Sequence, residues 1–210
     1  FLNAQYYYND IIGTRETNQQ MAAYLTNKVR TVSAAGFDQR GAQATGFSEF
    51  HEVKENGAAL KVSSITDLTK TVTYSRFDNQ GRVTSIADSS TVVDNTTSYE
   101  YDTKGNIIKV QNTVTDSASQ FDHTEIHQWY YDEEGKPVRM WRIINNAGNS
   151  GHDTIEVRFV KDENGNIGEE RTFRRNVETG YLYYYYDEKN RLTDIVRFNT
   201  RLKKLMPDIM

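Results

Sequence analysis

Three side chains at alternating positions, His123, Glu125 and His127, form a cluster with clear potential for chemistry. Residues two apart on a β-strand project from the same face, so a strand over this stretch would place two imidazoles and a carboxylate together. Imidazole nitrogens and carboxylate oxygens are common ligands of zinc and related metals. The spacing therefore predicts a candidate metal site, and a metal-dependent enzyme as one alternative function.

The distance between the two histidines limits this candidate site. Positions four apart on a regular strand lie about 13 Å from each other, which is too far for both to hold one ion. His123 with Glu125, or Glu125 with His127, could share an ion with a further ligand such as His152 or Asp153. An ordinary exposed strand face explains the same residues without a metal, and we predict no resident cofactor.

Other catalytic signatures are weak in this chain. It contains no cysteine and no Gly-x-Ser-x-Gly nucleophile motif. The neighbouring carboxylates at 133–134 and 169–170 would face opposite ways on a strand, so they do not form an acid–base pair by spacing alone. The glycine-containing stretch 145–151 lacks the lysine and the following helix of a phosphate-binding loop. We therefore expect a protein that is not an enzyme and assign no catalytic residue.

A ladder of aromatic residues is the second candidate site. Tyrosine and tryptophan precede three predicted turns at matching positions: Tyr99, Tyr101, Trp129, Tyr131, Tyr184 and Tyr186. On neighbouring strands they would form a stripe, which is either the core of the sheet, through cross-strand aromatic pairs, or the lining of a site for an apolar or glycan ligand. Seven arginines would rim such a site, or would lie on an exposed sheet face and form cross-strand ion pairs with Glu and Asp: Arg139, Arg142, Arg158, Arg171, Arg174, Arg175 and Arg197.

A turn pattern recurs next to these aromatic residues. In its best copy, at 99–110, Asp102 is expected to cap its own turn through backbone N–H groups, and Gly105 to take a left-handed conformation. Residues suited to strands follow the glycine, so the unit is predicted to be strand, tight turn and strand. From Val29 onward, an aspartate lies three residues before a glycine or asparagine six times: Asp38, Asp78, Asp102, Asp132, Asp162 and Asp187.

Repeated hairpins predict an all-β, mainly antiparallel fold. Polar returns rich in Asn, Ser, Asp and Gly are expected at 87–98, 112–122, 145–153 and 176–180. The result is a meander of about 10 to 14 strands, which forms a strongly curled sheet or an open barrel.

One N-terminal helix is predicted over residues 14–27. A capping-box spacing begins at Thr17, and Met21, Tyr24 and Leu25 share one helical face. Residues 1–12 would be a first strand or an arm. With no linker or composition break in its 210 residues, the chain is expected to be a single domain. It would comprise an N-terminal arm and helix (1–28), hairpin repeats (29–200) and a C-terminal tail (201–210).

The turn pattern resembles a known repeat. The sequence Tyr-x-Tyr-Asp-x-x-Gly-[Asn/Arg/Lys]-[Ile/Leu/Val] is complete at 99–107 and recurs with departures at 129–138 and 184–192. These units resemble the YD repeat of RHS and teneurin-type proteins and of smaller bacterial envelope proteins of unknown function. The resemblance implies β-hairpin architecture and an extracytoplasmic setting. Large members of the family enclose a cargo domain in a β-shell, but this chain has too few repeats for that role.

Composition narrows the range of partners. The net charge of −4 and the pI near 5.6 give no electrostatic case for binding nucleic acid or an anionic membrane. No apolar run approaches the length of a membrane-spanning helix, so no transmembrane segment is expected. A start at Phe1 is consistent with a removed secretory signal or a lipid anchor upstream, and equally with a cloning boundary.

The sequence therefore favours a non-enzymatic binding or structural protein of the bacterial cell envelope, located in the periplasm, on the outer membrane or outside the cell. Its partner would be a protein, a glycan or a lipid. The first alternative is a carrier that holds a lipid or another hydrophobic ligand on the concave face of a curled sheet. The second alternative is the metal-dependent enzyme. The regions where the repeats differ, 112–127 and 145–153, are the places to look for activity.

Overall fold

The computed structural model describes residues 7–66, 69–89, 94–116, 121–146, 153–199 and 203–208. Within them, one α-helix precedes fourteen β-strands. The helix is α1 (Asn9–Thr26), and a short 3₁₀ turn (Glu55–Gly57) follows the second strand. The strands are β1 (Thr31–Phe37), β2 (Gln43–Lys54), β3 (Ala59–Thr66), β4 (Thr69–Phe77), β5 (Val83–Ser89), β6 (Asp94–Tyr101), β7 (Ile107–Asp116), β8 (Phe121–Tyr131), β9 (Pro137–Asn146), β10 (Asp153–Lys161), β11 (Ile167–Arg174), β12 (Val177–Tyr186), β13 (Leu192–Asn199) and β14 (Lys204–Asp208).

All fourteen strands belong to one antiparallel sheet, in which each strand lies beside its neighbours in sequence. The order runs from β1 to β14 without a crossover, so these two strands are the edges of the sheet among the described residues. The sheet is not closed into a barrel over that part of the chain. The predicted all-β antiparallel meander with one N-terminal helix is confirmed, and a strong curl of the sheet stays a prediction.

Six hairpin turns share one hydrogen-bonding pattern. In each, the aspartate N–H donates to the carbonyl four residues later at 2.8–3.0 Å, and the aspartate carbonyl accepts the N–H three residues later at 2.9–3.1 Å. The aspartate Oδ1 also accepts the N–H four residues later. The fourth residue of each turn has a positive φ, for which glycine, or once asparagine, is suited. The geometry predicted for Asp102 and Gly105 is thus present in all six turns: Asp38–Gly41, Asp78–Gly81, Asp102–Gly105, Asp132–Gly135, Asp162–Gly165 and Asp187–Asn190.

The chain forms two compact units. The helix unit comprises the described residues of Ile11–Glu100 and Val110–Thr124. Its core consists of buried side chains from α1, β3, β4 and β5: Met21, Leu60, Phe77 and Val83. Half-buried side chains pack around this cluster: Tyr24, Val53, Val62, Ile86 and Tyr99. Burial of each large apolar side chain contributes roughly 1.5–3 kcal/mol, so this small cluster is enough to hold the helix on the sheet.

The C-terminal unit comprises the described residues of Phe1–Asp10, Tyr101–Lys109 and Glu125–Met210. Its buried apolar side chains come from strands β7 to β13: Ile107, Trp129, Met140, Val157, Phe159, Ile167, Leu182, Tyr184 and Ile195. Each unit therefore buries its own apolar cluster, and the single-domain assignment stays a prediction.

The helix begins at Asn9 rather than at residue 14, so the prediction of a strand or arm over residues 1–12 is wrong for its last residues. The predicted capping box at Thr17 is also wrong, because this residue lies inside the helix. The Thr17 hydroxyl donates to the Gly13 carbonyl at 2.8 Å, and Asn18 Oδ1 accepts the Val83 N–H at 2.8 Å. Both side chains therefore bond to partners other than the free N–H groups of a helix start.

The polar returns are shorter than predicted. Strand β7 continues to Asp116 and β8 begins at Phe121, so most of the segment 112–122 is strand. Asn112 Nδ2 donates to Asn95 Oδ1 at 2.6 Å and to Thr97 Oγ1 at 3.0 Å. Such cross-strand bonds let polar residues extend a sheet against their intrinsic preference.

Two other segments also differ from the prediction. The expected return at 176–180 is a tight turn at Arg175 and Asn176, whose φ values of 49° and 64° are typical of a two-residue type I′ hairpin. The expected C-terminal tail contains strand β14, which pairs with β13. Most of the predicted return at 145–153 lies outside the described residues.

Candidate functional site

A buried polar cluster surrounds His127 on β8 in the C-terminal unit. Its Nδ1 lies 2.6 Å from Asp10 Oδ2, and its Nε2 lies 2.8 Å from Glu125 Oε1. The indole N–H of Trp129 donates to the same Asp10 oxygen at 3.1 Å. Arg142 on β9 donates to both carboxylate oxygens of Glu125, with Nε at 2.8 Å from Oε1. The imidazole therefore sits between two carboxylates, and a guanidinium holds one of them.

These contacts decide the charge on the cluster. Burial disfavours the imidazolium, but the hydrogen bonds to Asp10 and Glu125 outweigh it and raise the pKa of His127 to about 9. Burial also disfavours the charge on Glu125, but the hydrogen bonds from His127 and Arg142 lower the pKa of this carboxyl to about 2. At neutral pH the cluster thus holds two positive and two negative groups that compensate each other.

A second buried carboxyl, Glu170 on β11, holds the residues before helix α1. Its Oε2 accepts the backbone N–H groups of Tyr7 at 3.1 Å and Tyr8 at 3.2 Å, and the Tyr184 hydroxyl at 2.7 Å. The residue is 2% exposed. Burial raises the pKa of Glu170 to about 7, although the three hydrogen bonds act to lower it. This carboxyl therefore changes its protonation near neutral pH.

Glu170 occupies a position that is otherwise apolar in the repeats. In the five copies from Asp78 onward, the eighth residue after the turn aspartate faces the buried side of the sheet; apart from Glu170 it is Ile86, Val110, Met140 and Ile195. An ionisable group at a core position needs hydrogen-bond partners, and the segment before the helix supplies two of them.

Aromatic contacts complete the attachment of this segment to the sheet. The Tyr7 ring meets His127 edge-on, with ring centroids 5.4 Å apart. The Tyr8 ring lies 5.7 Å from Tyr184 and 6.2 Å from Phe159. Residues 7–10 thus cover the buried face of the C-terminal unit with both polar and aromatic contacts.

The structure brings together two of the three predicted metal ligands, Glu125 and His127, and uses both in hydrogen bonds. A protonated imidazole donates from both nitrogens and has no free lone pair for a metal. His123 is half-buried on β8 in the helix unit, and His152 lies outside the described residues. Within the described ranges, no group of three or more His, Asp or Glu residues is arranged to hold a metal ion. Metal binding by His123, Glu125 and His127 stays a prediction.

The aromatic ladder lies in the packed interior of the two units. Trp129 and Tyr184 are buried, and the other members are half-buried: Tyr99, Tyr101, Tyr131 and Tyr186. Trp129 stacks on Phe159 of β10 with ring centroids 5.1 Å apart. The packing accounts for the aromatic character of these positions, and ligand binding by the six residues stays a prediction.

Two tyrosines of the ladder make the same hydrogen bond. The Tyr131 hydroxyl donates to the Ile107 carbonyl at 2.7 Å, and the Tyr186 hydroxyl donates to the Ile167 carbonyl at 3.0 Å. In both cases the tyrosine directly precedes a turn aspartate. The carbonyl belongs to the fifth residue after the aspartate of the previous turn in the chain. The tyrosine of the motif therefore connects one hairpin to the preceding hairpin.

A related histidine in the helix unit was not predicted from the sequence. Nδ1 of His51 lies 3.0 Å from the Tyr24 hydroxyl of α1, and its Nε2 lies 2.6 Å from Glu49 Oε1. The Glu-x-His spacing on a strand is the same as that of Glu125 and His127. This shared spacing is the signal that could have identified both histidines as contacts of the N-terminal segment.

The opposite face of the sheet in the C-terminal unit carries an arginine row, which we define as Arg139, Arg158 and Arg171. Arg158 on β10 lies directly opposite Arg139 on β9 and Arg171 on β11, and Tyr181 on β12 continues the row. The predicted basic rim around the aromatic ladder is wrong for these three arginines. Their alternation along the strands points them away from the face that holds Trp129 and Tyr184.

Comparison with known proteins gave no family assignment, because no protein-family model and no curated protein matches the chain. Among the described residues, no helix is both long and apolar enough to span a membrane.

Proposed function

We propose that this chain is a non-enzymatic binding or structural protein of the bacterial cell envelope and works outside the cytoplasm. The observation that supports the proposal is the contrast between the two faces of the sheet in the C-terminal unit. On one face, His127 and Glu170 contact residues 7–10, and Glu125 bonds to His127. The other face exposes large side chains, including Tyr130 and Tyr185, at 40% and 46% exposure, together with the arginine row. An exposed aromatic surface of this kind is suited to binding a partner.

We further infer that the hairpins are YD-type repeats. The six shared turns support this assignment, as do the matching hydroxyl bonds of Tyr131 and Tyr186. An extracytoplasmic location, in the periplasm, on the outer membrane or outside the cell, follows from the repeat assignment.

Sedimentation with a bacterial envelope fraction tests the binding function. The purified protein should sediment with the envelopes, and Tyr185→Ser should weaken this association. Tyr74→Ser is a matched control, because Tyr74 is 45% exposed and lies in the helix unit. Failure of the unmodified protein to sediment with envelopes would contradict the proposal, and equal losses in both variants would contradict the assignment of the binding face.

The two alternative functions stay predictions with direct tests. A lipid carrier would yield co-purified lipid in mass spectrometry of the native protein. A metal-dependent enzyme would yield stoichiometric metal in elemental analysis.

A further inference from the structure

The arginine row places like charges side by side. Directly opposite positions on neighbouring strands lie about 5 Å apart, and like charges at such positions destabilise a sheet. Here two such pairs share Arg158, since this residue is opposite both Arg139 and Arg171. The row is therefore a local excess of positive charge on a chain whose net charge is negative.

Carboxylates of the protein neutralise only part of this excess. Arg158 pairs with Glu156, and Arg171 pairs with Glu169, each at 2.7 Å. In the part of the chain that the structure describes, no carboxylate forms an ion pair with Arg139. Arg139 is exposed, and its guanidinium carbon lies 4.7 Å from the ring centre of Tyr130 and 5.9 Å from that of Trp141. Its N–H donors therefore face solvent beside two aromatic rings.

Aromatic rings accompany the other two arginines as well. Arg158 lies over Phe173 at 4.2 Å, and Arg171 lies over Tyr181 at 4.8 Å. Ring faces and guanidinium groups thus lie side by side over five strands, β8 to β12, on one side of the sheet. A ring face offers apolar contact area, and a guanidinium fork binds a carboxylate in a bidentate manner.

We propose that the arginine row and its aromatic neighbours bind a carboxylated glycan, an inference that rests on the proposed binding function. The apolar C–H face of a sugar ring packs on Tyr130 or Trp141, and the sugar carboxylate accepts hydrogen bonds from Arg139. A nucleic acid fits this surface less well, because nucleic-acid affinity rests on many phosphate contacts, and two of the three arginines in the row already pair with Glu156 and Glu169. An acidic peptide lacks the broad ring faces that the aromatic side chains match.

Calorimetric titration with a defined oligogalacturonate tests the site on the full chain. We expect saturable binding, and about tenfold weaker binding for Arg139→Gln, since a charge-assisted hydrogen-bond pair is lost. Arg76→Gln is the matched control: it removes the same charge from an exposed strand position in the helix unit, where the ion pair to Glu55 is itself exposed. Its affinity should stay within about twofold of the unmodified protein.

Four results would overturn the inference. One is equal weakening by Arg139→Gln and Arg76→Gln, which would mean diffuse electrostatic attraction. Another is equal affinity for the carboxyl-reduced, neutral oligosaccharide. The third is no binding to oligogalacturonate. The fourth is tighter binding to a poly-glutamate peptide, which would identify an acidic protein as the partner.

Envelope sedimentation separates this inference from the proposed function. If envelope binding survives in Arg139→Gln at full strength, the glycan site is wrong while the binding function stands. Circular dichroism of each variant tests whether it is folded. Arg139→Lys is a second test variant, because lysine keeps the positive charge but cannot form the bidentate hydrogen bonds of a guanidinium group. We expect Arg139→Lys to bind more weakly than the unmodified protein and more tightly than Arg139→Gln.

Discussion

The imidazole of His127 is a positive charge that two carboxylates hold inside the C-terminal unit. Removing one member of a buried, hydrogen-bonded charge cluster typically costs about 3–5 kcal/mol. Because the pKa of His127 is raised to about 9, its contribution is fully present below pH 6.5 and is lost as the pH rises through 9. We expect His127→Gln to lower the free energy of unfolding by about 3 kcal/mol at pH 6 and by much less at pH 10.

Urea denaturation at the two pH values measures this difference. His123→Gln on the same strand is the control, since its half-buried side chain lies in the helix unit. An equal loss of stability in His127→Gln at pH 6 and pH 10 would contradict the charged state of this imidazole.

The carboxyl of Glu170, like the imidazole of His127, makes stability fall as the pH rises. Because burial raises its pKa to about 7, the native state binds a proton between pH 4.5 and 7 that the unfolded state has released. The free energy of unfolding therefore falls as the pH rises through this window, and the Glu170 carboxyl accounts for about 3 kcal/mol of this fall. We expect Glu170→Gln to reduce the stability loss between pH 5 and pH 8.

Denaturation curves at pH 5 and pH 8 measure the effect. Glu169→Gln is a close control, because Glu169 lies on the opposite face and pairs with Arg171 in a partly exposed position. A Glu170→Gln variant that loses as much stability as the unmodified protein over this range would rule out the buried carboxyl as the cause.

Sequence reasoning at the residue scale found only half of the polar cluster. Glu125 and His127 attracted attention because both are on one strand. Asp10 is 117 residues away from His127, and Tyr7 is 163 residues away from Glu170, so no local spacing indicates either contact. An alignment of the repeats on their turn aspartates would have revealed Glu170 as a carboxyl at a core position.

The hairpin turn is the element whose geometry the sequence specifies most fully. Gly81 has a φ of +75°, and a Cβ added there would meet no heavy atom within 4 Å. The cost of Gly81→Ala is therefore backbone strain alone, about 1–2 kcal/mol. Gly180 has no positive φ, and an added Cβ would be 3.4 Å from Thr172 Cβ, an ordinary contact. We expect Gly180→Ala to leave stability unchanged or slightly higher, as for alanine in other strands.

Urea midpoints of the two alanine variants test this difference. Similar midpoints for Gly81→Ala and Gly180→Ala would show that the left-handed turn position contributes little.

Elements were predicted well where residues close together in the chain determine their geometry. They were predicted poorly where contacts with distant residues determine it. The six turns follow from Asp and Gly chemistry within five residues of chain. The helix start was misplaced because Thr17 and Asn18 have the side chains of a cap but bond to Gly13 and Val83 instead. The polar returns were predicted to be longer than they are, because cross-strand bonds such as those of Asn112 cannot be predicted from the sequence of a single strand.

At the scale of the whole molecule, the buried charges predict a stability maximum on the acid side of neutrality. The pKa of Glu125 is lowered to about 2, so its contribution is present above pH 4.5 and is lost as the pH falls through 2. Glu170 lowers stability from pH 4.5 to 7, and loss of charge on His127 lowers it from pH 6.5 to 9. We expect the highest unfolding temperature at about pH 5.

Thermal unfolding monitored by circular dichroism between pH 3 and pH 10 locates this maximum. A maximum at pH 8 or above would mean that the His127 and Glu170 contributions do not dominate the pH dependence.

The linear order of the strands also has a consequence for the kinetics of folding. Since every strand pairs with its neighbours in the chain, the sheet has a low contact order for a β-protein, and each hairpin can close over a short loop. The contacts of residues 7–10 are exceptions, and the bonds from Tyr7 and Tyr8 to Glu170 join residues more than 160 positions apart in the chain. Pulsed hydrogen exchange should therefore find amides of the strands protected early, and the amides of Tyr7 and Tyr8 protected in a late, separate step.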